Sequence, residues 1–527
     1  MRIAELMAET GVGFGTSGAR GLVVDMTDRV CYAYASGFAQ YLLGGGIAAS
    51  GGHVGLAGDL RSSTGRIMEA CAQALRAFGL RPWNLGRIPS PALAAFCIAR
   101  GIPSMMVTGS HIPDDRNGIK FNLPTGEILK EDEEAIRAQE VSLAEGLFDR
   151  AGAFVPGLAQ ALSRQDEAAF DAFVGRYMEL FPPNSLSGLR LGLYEHSSVA
   201  RDAFHAVLTG LGAEVERFGF SDAFIPVDTE AVRPEDVVLA RDRCATHGLD
   251  ALVSADGDGD RPLVGDERGE WLRGDIAGPL CARYLGAGGV VTPVSSNTAV
   301  EKCGWFPQVL RTRIGSPYVI AGMQTLLERG VAPVVGYEAN GGFLLASDIE
   351  REGRRLAALP TRDALIVAVS ILQMVREQGR PVSQLASDLP RRYTASDRIK
   401  AFPTAISRAR LGALSGGDPP RDKAAVEGIF RDAFGEVACL DVTDGLRVTF
   451  TSGEIAHLRP SGNAPELRAY TEADTPERAQ EMNRICMDIG ASATPENVSR
   501  WRHDRFPHPV PLPEGEGDVE RGFARLS

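Results

Sequence analysis

The sequence lacks features that define several whole classes of protein. No run among its 527 residues approaches the ~18 uninterrupted apolar residues of a transmembrane helix, and its first residues lack the basic-then-apolar pattern of a signal peptide. The eight cysteines contain no C-x-x-C pair, which indicates free, mostly buried thiols and excludes a disulfide framework. A net charge of −13 disfavours nucleic-acid and anionic-membrane partners. We therefore expect a cytoplasmic protein that binds neither nucleic acid nor membrane.

Glycine is the residue present in excess. The chain has 60 glycines, where average usage would give about 37, and they follow no G-X-Y period that would indicate collagen. A hydrophobic share of 44% with 23% charged residues also excludes a disordered chain. The composition predicts a large globular protein with many tight turns.

A strand, a polar loop and an amphipathic helix recur about every hundred residues. This alternation predicts parallel α/β layers, and the serine pairs at 62–63 and 197–198 predict N-caps for the first two helices. After about Pro390 the pattern changes to an antiparallel hairpin with flanking helices, which predicts a smaller α+β domain. The predicted domains are residues 1–155, 156–268, 269–388 and 389–498, followed by a mobile tail at 499–527.

Ser110 lies in the segment Thr108-Gly109-Ser110-His111-Ile112-Pro113, directly after the apolar run Met105–Val107. A hydrolase nucleophile elbow would need glycines at 108 and 112, so that interpretation fails. From this motif alone, a functional serine and a turn serine with a capping histidine are equally acceptable.

An acidic loop, Asp256-Gly257-Asp258-Gly259-Asp260-Arg261, follows the strand-like run Leu249–Ala255. Three alternating carboxylates indicate a hard-cation site, and the small number of protein ligands favours Mg²⁺ over Ca²⁺. An EF-hand is excluded because Arg261 stands where that loop requires glycine.

Three further loops combine glycine with polar side chains. Gly336–Gly342 presents Glu338 and Asn340, which suit vicinal hydroxyls, whereas Arg459–Pro465 with Arg468 suits a phosphate. Phe14–Gly21 presents Arg20 in a weaker phosphate-loop pattern.

Together the five segments resemble the signature loops of the α-D-phosphohexomutase superfamily, particularly its bacterial phosphomannomutase/phosphoglucomutase members, over about residues 10–490. The resemblance implies three similar α/β domains in series plus a smaller C-terminal α+β domain around a central cleft. It also implies a cytoplasmic isomerase that interconverts mannose 6-phosphate and mannose 1-phosphate, and glucose phosphates as a second pair. The reaction would use Mg²⁺ and a hexose 1,6-bisphosphate activator and intermediate, in a monomer or homodimer.

The resemblance assigns a role to each candidate residue. Ser110 would be the phosphoserine and would complete a Mg²⁺ site with Asp256, Asp258 and Asp260. Lys120 would be the general acid/base and His111 would orient the serine loop. Arg20 and Arg261 would lie near the phosphate, and Glu338 and Asn340 would bind the sugar. The non-reacting phosphate would be held by the following residues: Arg459, Ser461, Gly462, Asn463 and Arg468.

The chain departs from the family pattern at several positions. Gly109 and Ile112 replace Ala and Asn of the usual T-A-S-H-N-P, and Asn340 replaces a serine. Asn463-Ala464 replaces Thr-Glu, and Arg313 stands where a His or Lys often binds the sugar phosphate. Gly109 predicts a slightly looser serine loop. Alternative functions are a phosphoglucosamine mutase, a phosphatase, or a non-catalytic sugar-phosphate binder on the same scaffold.

Overall fold

The computed structural model describes residues 1–15, 18–461 and 465–491. The chain divides into two compact units, Met1–Arg392 and a second unit that begins at Tyr393. The domain boundaries expected near 155, 268 and 388 stay predictions. Among the described residues, no helix is long and apolar enough to cross a membrane. All eight cysteines are free and six of them are buried, as predicted.

The first unit begins with a mixed sheet. Its strands run in the order β1-β2-β6-β5-β3-β4, with β7 beside β6. The strands β3, β4 and β5 are parallel, whereas β6 is antiparallel to both β5 and β2. The elements are α1 (Ile3–Thr10), β1 (Gly13–Phe14), β2 (Gly18–Leu22), α2 (Asp28–Gly44), β3 (His53–Gly58), α3 (Thr64–Ala77), β4 (Arg81–Arg87), α4 (Ser90–Ile98), β5 (Ser104–Val107), β6 (Arg116–Leu123), β7 (Gly126–Glu127) and α5 (Lys130–Arg137).

A second sheet of the first unit has the order β11-β10-β8-β9, in which β8, β9 and β10 are parallel. The strands β10 and β11 are buried along their whole length, whereas the edge strand β9 exposes Glu214 and Arg217. The elements are α6 (Ala168–Leu180), β8 (Arg190–Tyr194), α7 (Arg201–Gly210), β9 (Glu214–Phe218), α8 (Pro234–His247), β10 (Ala251–Ala255) and β11 (Pro262–Gly265).

A third sheet of the same unit has the order β13-β12-β14-β15, again with a parallel centre. The helix α12 packs against α9 and begins at an aspartate N-cap whose carboxylate accepts two backbone N–H groups. The elements are α9 (Gly274–Tyr284), β12 (Gly289–Pro293), α10 (Ala299–Lys302), β13 (Gln308–Thr312), α11 (Ser316–Glu328), β14 (Val334–Tyr337), β15 (Phe343–Leu345), β16 (Ile349–Arg351), β17 (Arg354–Leu356), α12 (Ala364–Gln378) and α13 (Val382–Ala386).

The second unit is an antiparallel sheet with helices. Its strand order is β18-β22-β21-β20-β19, and the predicted hairpin is the β20–β21 pair. The elements are β18 (Tyr393–Ile399), α14 (Thr404–Leu414), α15 (Pro419–Phe434), β19 (Val437–Asp441), β20 (Leu446–Phe450), β21 (Ile455–Pro460), β22 (Leu467–Ala473) and α16 (Pro476–Ala491). The predicted fold class, α/β layers followed by an α+β region, is confirmed.

The prediction that serine pairs cap the first two α/β helices is wrong. Ser63 precedes α3 but makes no side-chain cap, and its Oγ instead accepts a hydrogen bond from Asn117 at 2.9 Å. The helix α7 begins only at Arg201. Ser198 Oγ donates to the backbone carbonyl of Asp256 at 2.7 Å, so this serine supports the acidic loop rather than a helix end.

Candidate active site

Three loops of the first unit follow strands that belong to parallel pairs. Ser110 comes after β5, Asp256 directly after β10, and Glu338 directly after β14. Ligands of α/β proteins bind outside the carboxyl ends of parallel strands, because the backbone there turns away and leaves side chains free. The side-chain contacts below show that the structure brings the first two loops together and links the third to them.

Ser110 is buried and has a left-handed backbone, with φ of 54°. A positive φ costs energy for a residue other than glycine, so the surrounding contacts must hold the serine in place. Its Oγ donates to Asp256 Oδ2 at 2.6 Å and lies 3.3 Å from His111 Nδ1. Its backbone N–H donates to Thr108 Oγ1 at 2.8 Å. The serine oxygen is thus directed at the acidic loop.

A fully buried arginine in the turn after β3 contacts this loop. The Arg61 guanidinium pairs with Asp59 and donates to the backbone carbonyls of Ser110, at 3.1 Å, and Ile112. A Cβ on Gly109 would lie 2.7 Å from the Arg61 Cζ. Gly109 therefore makes room for the guanidinium, a role different from the looser backbone that the sequence suggested.

Protein donors fix one oxygen of Asp258 and one of Asp260, and both oxygens of Asp256, whose Oδ2 accepts from Ser110 Oγ. Asp256 Oδ1 accepts the backbone N–H groups of Asp260 and Arg261, both at 3.1 Å. Asp258 Oδ2 accepts from Lys120 Nζ at 2.6 Å. Asp260 Oδ2 accepts from the same Nζ at 2.8 Å. Lys120 and the loop backbone thus help to orient all three carboxylates.

The remaining oxygens fit a hard cation. The Oδ1 atoms of Asp258 and Asp260 are buried and have no hydrogen-bond partner among the described residues. One oxygen from each of the three aspartates lies within 4.8 Å of the others. Clustered anionic oxygens without donors are costly to bury unless a cation compensates them, and oxygen ligands suit Mg²⁺. The residues present therefore fit the magnesium ion that the resemblance implies.

Burial and mutual repulsion shift the acid–base properties of this cluster. Burial and the charges of Asp258 and Asp260 raise the pKa of Asp256 well above its usual range. Burial also opposes ionisation of Asp258, but the adjacent Lys120 ammonium lowers the pKa of that carboxyl. Burial alone would lower the pKa of Lys120, but the two carboxylates raise it above its usual value. Lys120 therefore carries a proton at neutral pH.

Cations line a small cavity beside Ser110. The cavity holds about 30 Å³, and its lining includes Arg20, Lys120, Arg261 and Arg362. Burial, followed by the charge of Arg261, lowers the pKa of Arg20 to about 10. Burial and the charges of Arg261 and Arg20 also lower the pKa of His111 to about 2, so this histidine is neutral. The pocket attracts anions such as a phosphoryl group.

The loop after β14 is buried and internally bonded. Glu338 is 5% exposed, and its Oε2 lies 3.4 Å from Arg362 Nη1. Asn340 Oδ1 accepts the Gly342 backbone N–H at 2.9 Å, and the Asn340 carbonyl accepts from Thr229 Oγ1 at 2.6 Å. With its oxygen engaged, the Asn340 amide is oriented to donate from Nδ2.

Arg313 lies apart from these contacts. It is exposed, and its guanidinium stacks on the ring of Tyr318, 4.9 Å from the ring centroid. An exposed arginine stacked on a ring can bind an anion. Its predicted role stays a prediction.

The second unit places two candidate arginines side by side. Arg459 and Arg468 face each other directly across β21 and β22. Arg459 Nε lies 3.4 Å from Asp444 Oδ2, and Arg468 Nη2 lies 3.2 Å from Glu466 Oε2. Adjacent like charges favour a shared anion. The Ser461 backbone N–H donates to the Glu466 carbonyl at 2.8 Å. Gly462 and Asn463, like the predicted tail at 499–527, lie outside the described residues.

Sequence reasoning missed three residues of the first unit's site. Arg362 bridges two of the loops, Arg61 braces the serine loop, and Ser90 Oγ donates to Asp258 Oδ2 at 2.7 Å. Asp59 stands at the end of the strand-like run His53–Asp59, so its polar position was a usable signal for the pair with Arg61. No local pattern distinguished Arg362 or Ser90.

Comparison with family models gives three matches. The models describe the phosphoglucomutase/phosphomannomutase family: its alpha/beta/alpha domain I matches residues 11–144, its alpha/beta/alpha domain III matches residues 273–393, and its C-terminal domain matches residues 416–488. Four of the five signature segments lie within these matched ranges, and the acidic loop lies outside them.

Individual relatives extend over nearly the whole chain. A phosphomannomutase of Sinorhizobium fredii is 44% identical over 90% of this chain and 97% of its own length. A phosphoglucosamine mutase of Gluconacetobacter diazotrophicus is 30% identical over 89% of this chain and 95% of its own length. Among solved structures, a phosphoglucomutase/phosphomannomutase family protein of Burkholderia thailandensis has a TM-score of 0.68 at 19% identity, covering 91% of this chain and 97% of that one. An Aspergillus fumigatus N-acetylphosphoglucosamine mutase, solved with GlcNAc-6P and magnesium, has a TM-score of 0.53 at 13% identity, with coverages of 94% and 99%.

Proposed function

The chain belongs to the phosphoglucomutase/phosphomannomutase family of α-D-phosphohexomutases, and from that premise we propose that it interconverts mannose 6-phosphate and mannose 1-phosphate. The observation that carries the proposal is the buried Ser110 hydroxyl, 2.6 Å from Asp256 in a pocket lined by cations. The greater similarity to a phosphomannomutase than to a phosphoglucosamine mutase supports mannose phosphates as the substrate pair.

Ser110 is the phosphoryl carrier of the proposed reaction. Its phosphoryl group passes to a hydroxyl of the sugar monophosphate, the P–O bond to the serine breaks, and the product is a hexose 1,6-bisphosphate. After the intermediate turns around, its other phosphate returns a phosphoryl group to Ser110. Asp256, Asp258 and Asp260 would hold Mg²⁺ together with a phosphoserine oxygen, and the ion would offset negative charge on the phosphoryl oxygens.

Lys120 is the proposed general acid. Its ammonium is charged in the resting site, because the two carboxylates beside it raise its pKa. It can therefore supply a proton to the serine oxygen as the phosphoryl group leaves, and the resulting amine can take up the proton that the attacking sugar hydroxyl gives up. Neutral His111, 3.3 Å from Ser110 Oγ, orients the hydroxyl. Arg20 and Arg261 bind the phosphoryl oxygens.

Glu338 and Asn340 are the proposed sugar-recognition residues. A carboxylate accepts hydrogen bonds from two neighbouring hydroxyls, as O3 and O4 of a hexose provide, and the Asn340 amide donates one. Recognition through O3 and O4 does not sense C2, where mannose and glucose differ, so glucose phosphates are the expected second pair. Arg459, Ser461 and Arg468 are proposed to bind the non-reacting phosphate.

A coupled assay with mannose, glucose and glucosamine 6-phosphates tests the proposal. Each reaction contains Mg²⁺ and a trace of hexose 1,6-bisphosphate, and intact-mass analysis follows the protein. We expect the fastest turnover with mannose 6-phosphate and one stable phosphoryl group on the wild-type chain. The variant Ser110→Ala should lose both the phosphoryl group and activity, whereas Ser142→Ala, at an exposed serine, should keep both.

Three results would overturn the proposal. Faster turnover of glucosamine 6-phosphate would make the protein a phosphoglucosamine mutase. Full mutase activity in Ser110→Ala would remove the phosphoserine from the mechanism. Release of inorganic phosphate at a rate near that of turnover would instead indicate a phosphatase.

A further inference from the structure

Arg362 is a buried cation that none of the proposed catalytic steps uses. It immediately precedes α12, and the next residue, Asp363, caps that helix by accepting the backbone N–H groups of Leu365 and Ile366. The Asp363 backbone N–H also donates to the Phe343 carbonyl at 2.9 Å, which ties the start of α12 to β15. The backbone that carries Arg362 is therefore anchored to the strand that follows the sugar-recognition loop.

The Arg362 guanidinium contacts two loops at once. Its Nη2 lies 2.9 Å from Asp260 Oδ2, and its Nη1 lies 3.4 Å from Glu338 Oε2. A planar fork with fixed donors holds two carboxylates in a defined relation, which a lysine ammonium cannot do as well. One side chain thus joins the acidic loop to the carboxylate assigned to the sugar.

Gly342 provides the space for this arginine. A Cβ at position 342 would lie 2.5 Å from the Arg362 Cδ and 2.8 Å from its Cγ. Contacts below 3.0 Å require something to shift, so a larger residue at 342 would displace the arginine stem. Part of the sugar-recognition loop is therefore built around Arg362.

The positive charge of Arg362 compensates two buried carboxylates. The guanidinium is buried beside the carboxylates of Asp260 and Glu338, whose negative charge it balances. Glu338 is itself buried, and the Arg362 guanidinium is a cationic partner of its carboxylate. A buried carboxylate that loses its partner is strongly destabilised as an anion. Removing the fork would leave the Glu338 carboxylate poorly oriented.

We propose that Arg362 is a positioning residue that fixes Glu338 for sugar recognition by holding it against Asp260 of the acidic loop. The proposal rests on the function proposed above, because it takes Glu338 as the sugar-binding carboxylate. It places the effect of Arg362 on the affinity for the sugar. Phosphorylation of Ser110 should depend on it little, since Lys120 Nζ still holds Asp260 Oδ2 at 2.8 Å.

The test compares Arg362→Lys, Glu338→Gln and the double variant. A hydrogen bond between charged groups contributes enough that losing it should raise KM for the hexose phosphate about 10- to 100-fold. We expect Arg362→Lys to show that rise with kcat within a few-fold of wild type and with full phosphoryl loading by intact mass. The double variant should be no worse than the worse single variant, because both changes break one interaction.

The matched control is Arg233→Lys. Arg233 also forks onto a carboxylate, Asp236, but in the first turn of α8 and outside the candidate site. Its KM should equal that of wild type. Gly342→Ala should reproduce the KM rise by displacing the stem, whereas Gly175→Ala, on α6 with nothing within 4 Å of the added Cβ, should not. This pair decides the question if Arg362→Lys does not fold.

Additive effects of Arg362→Lys and Glu338→Gln, or an unchanged KM in Arg362→Lys, would overturn the proposal. Loss of phosphoryl loading would do the same, because it would place Arg362 in the transfer step. Kinetics use whichever hexose phosphate the wild type turns over fastest. Calorimetric affinities in the Ser110→Ala background give the same comparison if the protein binds hexose phosphates without turning them over. Failure of the mutase assignment and failure of the Arg362 proposal thus produce different results.

Discussion

The two units of the chain hold different parts of the candidate site in different ways. In the first unit, Ser110 and the three aspartates are buried, and each is fixed by hydrogen bonds of 2.6 to 3.1 Å. In the second unit, Arg459 and Arg468 contact their acidic neighbours only at 3.4 and 3.2 Å. Ser110 and the three aspartates are thus held by short hydrogen bonds, whereas the two arginines form longer ion pairs with their acidic neighbours.

This difference suggests a division of labour. Chemistry at a phosphoryl group depends on groups held in position before the substrate arrives, because reorganisation during the reaction would raise the barrier. Binding of a non-reacting phosphate needs cations that exchange weak protein partners for a stronger anion. We therefore expect substitutions in the first unit to act on kcat or on stability, and substitutions in the second unit to act on KM.

The largest effect is expected from Lys120→Met. The variant removes the proton donor and also leaves Asp258 and Asp260 without their shared ammonium, so kcat should fall about 10²- to 10⁴-fold. Steady-state kinetics with the best hexose phosphate measures it. Lys130→Met, at a lysine paired with Glu133 on the surface of α5, should retain wild-type kcat. A fall of less than about fivefold in Lys120→Met would remove this lysine from the chemistry.

The second effect concerns stability and is expected from Gly274→Ala. The added Cβ would lie 2.1 Å from the Gly341 nitrogen and 2.5 Å from the Ala339 carbonyl oxygen, which are backbone atoms of the sugar-recognition loop. We expect a loss of about 2–3 kcal/mol in the free energy of unfolding, as for other overpacked sites. Urea denaturation measures it. Gly175→Ala should instead be neutral or stabilising by up to about 1 kcal/mol. Equal free energies of unfolding for the two variants would show that the sugar-recognition loop can shift to accommodate the added Cβ.

Each unit also contains a buried histidine. The loss of stability at low pH can therefore be compared between the two units. Burial lowers the pKa of His196 to about 4, and burial likewise lowers the pKa of His457 to about 4. Since both values lie below the ~6.5 of an unfolded histidine, the unfolded chain binds the additional proton. The stabilisation from each neutral histidine is complete above about pH 6.5 and is lost as the pH falls to about 4, up to about 3 kcal/mol each.

Chemical denaturation between pH 7 and 4.5 measures this loss. His196→Gln and His457→Gln retain a side-chain N–H for the carbonyls of Ala255 and Asp444, which the histidines contact at 2.7 and 2.6 Å. Each variant should lose stability less steeply with falling pH than the wild type. Parallel curves for a variant and the wild type would show that its histidine is already protonated in the folded chain.

The sequence predicted the parts of the site that are contiguous in the chain. Asp256, Asp258 and Asp260 lie within five residues, and their alternation was enough to predict a cation site. Ser110 was equally visible, because it follows a short apolar strand in a loop with its own signature. In both cases one short segment carries the strand, the turn and the polar groups.

Arg362 and Arg61 could not be predicted in the same way. Arg362 meets Asp260 and Glu338 across 102 and 24 positions of sequence, as the residue numbers of those contacts show. Such contacts depend on how whole α/β layers pack. The spacing of hydrophobic residues along the sequence predicts helices and strands, but it does not predict which distant side chains meet. The serine caps were predicted wrongly for a related reason: Ser63 and Ser198 bond to distant partners, and tertiary contacts outweighed local capping.

The smallest effect is expected from Arg459→Met in the second unit. Removing one of two adjacent cations should raise KM for hexose phosphates about tenfold, which corresponds to about 1.4 kcal/mol, and should leave kcat within about twofold. The remaining Arg468, opposite it on β22, keeps part of the attraction for the phosphate. Arg431→Met, at an exposed ion pair with Glu436 on the same unit, controls for the general loss of one positive charge and should leave KM unchanged. If Arg459→Met lowers kcat about 100-fold with KM unchanged, the second unit takes part in phosphoryl transfer itself, and the division between a unit for chemistry and a unit for binding is wrong.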